Sequence, residues 1–477
     1  MTTSNLFINF NDKVMKWMNV LQTVTLLYAL GFVAGCKKNV SAETIKPSPV
    51  NSVISTDSVV HYSSSVISAG GIIMKAAGIT DKGIIWGTDS NSLTVTGINK
   101  ISNGTGSTNF TDTIQNLIPN TVYYVKAYAI VNLQPSYGAA IAFTTDPVVY
   151  IGGYDGSSAK YWRNGTPVAL SVNSSSVSGW IHAIYAQGTN VQATGEIETA
   201  YAAIYAPYWE NGISKALTDT NAALKPSTYT TGVGYAMFVQ GTDVYIAGYE
   251  LLNGVWPVAK YWKNGVGVSF TDGTLSNDGI AYGIYIKGTD VYVAGFTSNR
   301  NMGTQMATYW KNGNPVYLND STKSMAVAHS IFVDSSNNVY VAGSETPGVG
   351  ISFMGTQVAK YWKNGKAIAL TDGTEDACAY AVFVSNGTVY AAGYEYNPAT
   401  GLSDAKYWKN STPYTLTNNG YFNSATSIYV QNNDVYVAGW ANDYSRGYNF
   451  AKYWKNGVDI PLISNSHYST GSCIFLQ

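Results

Sequence analysis

The chain has 477 residues, a formal charge of −1 and only 12% charged residues. That balance excludes a nucleic-acid clamp and a surface drawn to anionic membrane. Three cysteines exclude a disulfide framework, and the length allows two or three domains, each with its own core.

At the start, Lys13 and Lys16 precede the apolar run NVLQTVTLLYALGFVAGC, which ends in the small residues Ala34 and Gly35 before Cys36. A basic start, a short apolar core and a small-residue end read as an export signal. The ending Val33-Ala34-Gly35-Cys36 resembles a bacterial lipobox, which implies that residues 1–36 are a lipoprotein signal peptide and that Cys36 carries the lipid. An uncleaved membrane anchor of about 17 residues is the competing reading, at the short limit for spanning a bilayer. Met15 opens a more ordinary signal than Met1 does, which leaves the true start open. The expectation is an exported protein held at the membrane by its lipid, an outer-membrane lipoprotein of the cell envelope facing either the periplasm or the surface.

Residues 37–58 are rich in Lys, Asn, Ser, Pro and Thr and read as a flexible linker. Over residues 59–146 alternating stretches such as GIIMKAAGI, DKGIIWGT and TVYYVKAYAIV predict strands. Within LIPNTVYYVKAYA, the residues Leu117, Pro119, Thr121 and Tyr123 resemble the L-x-P-x-T-x-Y run of fibronectin type III domains. In that family the tyrosine hydroxyl caps a strand crossover. The resemblance implies a small β-sandwich acting as a spacer or contact surface.

Asp146-Pro147 then breaks the chain, and one phrase recurs seven times: AKYWRNG, APYWENG, AKYWKNG, ATYWKNG, AKYWKNG, AKYWKNS and AKYWKNG. Its tryptophans are Trp162, Trp209, Trp262, Trp310, Trp362, Trp408 and Trp454, spaced 46 to 53 residues apart. Two further phrases keep step with it. One is VYVAG, degraded to VQATG in the second copy. The other is an apolar run such as SIYV or AVFV. Each unit reads as apolar strand, polar turn, VYVAG strand, variable loop, KYW strand, Asn-Gly turn and a short last strand. Four antiparallel strands repeated at this period predict a β-propeller over residues 147–477. The first VYVAG, at Val149, lacks a preceding apolar strand, and the last apolar strand, Ile474–Leu476, lacks a follower. Joined, they complete one blade, so the prediction is an all-β chain: a fibronectin type III-like sandwich followed by a seven-bladed propeller closed by the C-terminal strand. The Trp and Tyr of the phrase point to opposite faces of one strand and are expected to fill the space between blades. The repeats loosely resemble short extracellular repeats with a W-x-x-G core in other bacterial proteins, a resemblance that implies no activity.

No Gly-rich phosphate loop, G-x-S-x-G, H-E-x-x-H or EF-hand loop occurs, and the sialidase-type S-x-D-x-G-x-T-W box is absent. Cys378 and Cys473 read as free buried thiols. No catalytic residue, cofactor or metal site is therefore expected. What varies between the repeats is more informative. One variable position before each apolar strand holds His182, Tyr235, Tyr282, His329, Tyr380, Thr426 and Ser472. A second, after each VYVAG, holds Tyr154, Glu196, Tyr249, Phe296, Ser344, Tyr394 and Trp440, with Glu250, Glu345 and Glu395 following in three copies. Variable positions on a rigid repeat scaffold are where binding usually sits. The expected ligand site is His182, Tyr235, Tyr282, His329 and Tyr380 together with Tyr249, Phe296, Tyr394 and Trp440. Aromatic faces with carboxylates nearby suit sugar rings, so the expectation is a monomeric binding or adhesion module with a glycan, peptide or protein ligand. The alternative is a hydrolase or lyase of extracellular polysaccharide, using rim His and Glu as acid and base.

Overall fold

The computed structural model describes residues 53–477, apart from 76–77, 173–175, 201–203, 218–230, 253–254, 320–323, 349–354, 418–421, 444–445 and 465. Cys36 and the signal segment lie outside the described residues. No helix occurs among those that are described, and the chain is all-β. It divides into two compact units, Met1–Asp146 and Pro147–Gln477.

The first unit holds two antiparallel sheets. One joins Ile54–Thr56, Val66–Ile73 and Val60–Ser63, with Phe110–Ile114 also paired to Val66–Ile73. The other joins Lys100–Ser102, Ile79–Gly87, Val122–Val131 and Gln134–Tyr137, with Ile141–Thr144 also on Val122–Val131. Alternation along the strands turns Ile67, Ala69, Ile84, Ile114, Leu117, Tyr123 and Val125 into one core. The Ile118 N–H donates to the Tyr123 hydroxyl at 3.1 Å, so the L-x-P-x-T-x-Y run folds back on its own tyrosine. Ile54 lies within the stretch expected to be linker, yet it is fully buried and paired with Ile73.

The second unit is a β-propeller-type arrangement of seven antiparallel sheets, each with four strands side by side, in chain order in six of them. The second sheet carries an extra two-residue strand, Ile204–Tyr205. The inner strands are Ser469–Leu476, Ser176–Gln187, Gly232–Gln240, Asp278–Lys287, Ser324–Val333, Ala377–Ser385 and Phe422–Gln431. Each touches the inner strand of the next sheet, and Phe422–Gln431 of the seventh touches Ser469–Leu476 of the first. That first sheet is built from both ends of the unit: Val149–Asp155 pairs with Ser469–Leu476, with Val149 opposite Leu476.

The repeated phrase explains itself in this setting. All seven of its tryptophans are at most 2% exposed. Trp362 packs with Tyr292 and Ala294 of the preceding sheet; in the same way Trp162 packs with Tyr436 and Ala438 of the seventh. Truncating such a ring costs about 3–5 kcal/mol. The Asn-Gly pair takes the two positive φ values of a tight hairpin, 51° at Asn364 and 82° at Gly365. The asparagine does more than turn. In every repeat its Oδ1 accepts the backbone N–H of the first VYVAG-strand residue, as Asn364 does from Val339 at 2.9 Å.

Candidate functional site

The inner strand of every sheet bulges at the same place, and that of the second sheet bulges again between Ser176 and Ser178. In the first sheet Gly152 pairs with Cys473 and Gly153 with Gly471, so Ser472 is left out of the ladder. His182, Tyr235, Tyr282, His329, Tyr380 and Thr426 are left out of the other six. The cause lies in the neighbouring strand. The bulge pushes an inner-strand carbonyl toward the glycine of VYVAG, where an added Cβ would lie 1.8–2.1 Å from that oxygen in all seven sheets. Only glycine fits. The variable residues are thus the ones that a bulge frees from pairing and re-aims.

Their rings meet in an arc. Centroids are 5.2 Å apart for His182–Tyr235, 4.8 Å for Tyr235–Tyr282, 5.2 Å for Tyr282–His329 and 5.2 Å for His329–Tyr380. Thr426 continues the series by donating to Gly471 O at 2.8 Å. The Ser472 hydroxyl accepts from the Trp180 indole, whose ring lies 5.2 Å from His182. Tyr249, Phe296 and Tyr394 each contact the bulged residue of their own sheet, at 6.1, 6.2 and 5.9 Å. Trp440 is half-buried, lies opposite Ser424 and makes no ring contact with the arc among the described residues.

Burial sets the protonation of this arc. It pushes the phenols of Tyr282 and Tyr394 up to about 12 and raises Tyr235, Tyr249 and Tyr380 as well. It lowers His329 to about 4, so that imidazole is neutral at pH 7. The shifted phenols and the His329 imidazole are therefore uncharged at pH 7 and give the arc a π-rich surface. Glu250, Glu345 and Glu395, the carboxylates expected as acid–base partners, are instead tied to Lys260, Lys360 and Lys406 of the adjacent strand. Asp155 and Lys160 make the same pair in the first sheet at 2.7 Å. The fourth sheet replaces it with Thr297 and Thr308 at 3.2 Å. In four sheets the recurring lysine is thus the counter-charge of an acid, while in the seventh Ala441 takes the acid's position and Lys452 pairs with Asp459 at 2.8 Å.

The second sheet breaks this rule. Ile197 and Pro207 stand where the acid and the lysine should be, and carboxylates flank the position as Glu196 and Glu198. Register puts Trp180 opposite Glu196 and Ser178 opposite Glu198, so all four side chains share one face. Tyr154 of the first sheet meets Trp180 edge-on at 4.8 Å. Together with Gly156, Ser157, Gly179 and Ile204 they line a cavity of about 150 Å³. Ser178 Oγ donates to Glu198 Oε2 at 3.0 Å, and His182 Nε2, enclosed and without a hydrogen bond, lies 3.8 Å from Glu196 Oε2.

Sequence reasoning placed Tyr154 and Glu196 among the variable positions but not in the site, and missed Trp180, Ser178 and Glu198. The available signal was the departure of the second repeat, with VQATG and APYW in place of VYVAG and AKYW. It also missed a second aromatic series three residues after each bulge: Tyr185, Phe238, Tyr285, Phe332, Phe383, Tyr429 and Phe475. Six contacts of 4.7–5.9 Å link these rings into a belt. A three-residue step returns to one side of a strand only because the bulge adds a residue.

No family model matches the chain, and no curated protein does. Solved structures are similar in part. An ulvan lyase of polysaccharide lyase family 25, bound to -[GlcA(1-4)Rha3S]-, is 8% identical over 69% of this chain and 86% of its own, with a TM-score of 0.36. A puromycin-hydrolyzing peptidase of Mycobacterium tuberculosis is 9% identical over 83% and 61%, with a TM-score of 0.37. The Aleuria aurantia lectin in complex with α-methyl-L-fucoside is 11% identical over 59% and 95%, with a TM-score of 0.30. Similarity at this level carries neither activity nor site residues over to this chain.

Proposed function

We propose that this chain is a glycan-binding lipoprotein of the cell envelope. Its lipid would sit on Cys36, its linker and fibronectin type III-like unit would hold the binding unit away from the membrane, and a closed seven-bladed propeller would present the rim. Packing of Trp162 on the seventh sheet and pairing of Val149–Asp155 with Ser469–Leu476 support ring closure. The return of the Ile118 N–H to the Tyr123 hydroxyl supports the sandwich assignment. The observation that carries the binding function is the rim cavity, where the Trp180 and Tyr154 rings stand beside Glu196, Glu198 and Ser178. A π-face takes the apolar side of a sugar ring while carboxylate and hydroxyl oxygens take its hydroxyl edge.

The test is a glycan array probed with the chain lacking its lipid. It is repeated with Tyr154→Ala plus Trp180→Ala, with melting curves run alongside. Retained folding with at least about a tenfold loss of affinity supports the cavity; unchanged retention of every bound glycan refutes it. The 3.8 Å approach of His182 to Glu196 favours one competing reading, a polysaccharide hydrolase or lyase, which turnover of a bound glycan would establish.

A further inference from the structure

The carboxylates of this unit follow a pattern that the cavity violates. Wherever an acid follows the VYVAG glycine, a lysine two positions away across the ladder neutralises it, as in Asp155–Lys160, Glu250–Lys260, Glu345–Lys360 and Glu395–Lys406. In the second sheet the lysine is lost to Pro207 and the acids are moved to the other face of the strand, beside Trp180. No Lys or Arg lies within ion-pair distance of Glu196 or Glu198 among the described residues; the nearest basic group is the His182 imidazole. The uncompensated charge of Glu196 reaches its neighbours and contributes to the raised values of Tyr235 and Tyr249. Two carboxylates without a Lys or Arg partner, half enclosed by two aromatic rings, form a site whose negative charge calls for a cation. Indole and phenol faces add to that preference, because their π-electrons attract a cation that the carboxylates have already drawn in.

We infer that this cavity selects a sugar bearing a free amine, the ammonium supplying to Glu196 and Glu198 the counter-charge that lysine supplies to the acids of four other sheets, on the opposite face of the strand. The cavity, about 150 Å³ and open on one side, admits one sugar ring of a longer chain. This inference rests on the glycan-binding reading above, and the probes separate the two. Oligomers of β-1,4-glucosamine and of its N-acetylated form share one backbone and differ in charge. Calorimetry of the full chain in detergent, at low salt, is expected to show the tetramer of glucosamine binding at least about tenfold tighter than the N-acetyl tetramer. The preference shrinks as salt rises. Glu196→Gln with Glu198→Gln, folded by its melting curve, is expected to abolish the preference and keep binding of the neutral tetramer. Equal affinity for both tetramers in the unaltered chain overturns the charge inference alone, and binding of neither overturns both readings. Survival of the preference in the double variant places the selectivity elsewhere and refutes the site. N-acetyl-lysine methylamide tests whether a bare amine suffices; if it binds as tightly as the glucosamine tetramer, the sugar assignment fails.

Discussion

Ile474 and Ile331 occupy the same place in two repeats, two residues beyond the bulge, and are 7% and 5% exposed. Ile331 sits among Val341 and Trp362 of its own sheet and Tyr292 and Ala294 of the preceding one. Ile474 sits among Ile151 and Trp162 of the first sheet and Tyr436 and Ala438 of the seventh. One therefore reports on a joint inside the series and the other on the joint between its two ends. Ile→Ala deletes three buried carbons, about 2.4 kcal/mol of transfer free energy. The void left by incomplete relaxation raises the cost to about 3–4 kcal/mol. If the ring closes as the pairing indicates, Ile474→Ala and Ile331→Ala destabilise equally, within about 1 kcal/mol. Urea unfolding of both variants and the parent, followed by tryptophan fluorescence, measures this; Val168→Ala, at an outer position 37% exposed, is the control and shifts stability by less than about 0.5 kcal/mol. A full cost for Ile331→Ala beside a negligible one for Ile474→Ala would show that the two ends do not form a native joint.

The sixth hairpin has Ser411, at φ 69°, where the others have glycine; Ser411→Gly is expected to raise stability by about 1 kcal/mol, and a lower urea midpoint would contradict the strain argument. Burial holds the folded-state value of His329 near 4, so the unfolded chain takes up a proton first as pH falls. The stability due to the neutral imidazole is complete above about pH 6.5 and falls toward pH 4, with a slope of up to about 1.4 kcal/mol per pH unit. His329→Phe should flatten that slope between pH 6.5 and 4, and an unchanged slope would place the titration elsewhere. Cys36→Ser should abolish lipid attachment and retention in the membrane fraction; equal processing and retention would remove the lipoprotein reading.

The repeat architecture was legible because it is written in residues whose physics is local. Tryptophan every fifty residues, Asn-Gly at six of the seven turns that follow it and a β-branched strand beside them need no tertiary context to be recognised. The bulged positions were legible only as variability. That His182 and Tyr282 vary while the VYVAG glycine stays constant is one fact seen twice, since the glycine makes room for the bulge that frees the other residue. Nothing in a single strand announces that partnership. The Lys360–Glu345 pair was illegible for the same reason: fifteen residues separate the partners, and only register brings them together. The cavity was hidden more deeply. Ile197 and Pro207 look like decay of a motif, and they become meaningful once the ion pair they replace is known.

The first sheet also imposes an order in time. Tyr150 and its hydrogen-bond partner Gln477 are 327 residues apart. At about 5–20 residues per second, the earlier strand waits roughly 15–65 s for its neighbour to be synthesised. Throughout that wait the edge of Val149–Asp155 has no partner strand, while the six sheets made between can already form. A chain interrupted anywhere before residue 469 keeps that edge open, and an unpaired edge invites aggregation or proteolysis. Building one sheet from strands so far apart in the chain thus works as a checkpoint: the edge of Val149–Asp155 is protected only once Ser469–Leu476 has been made.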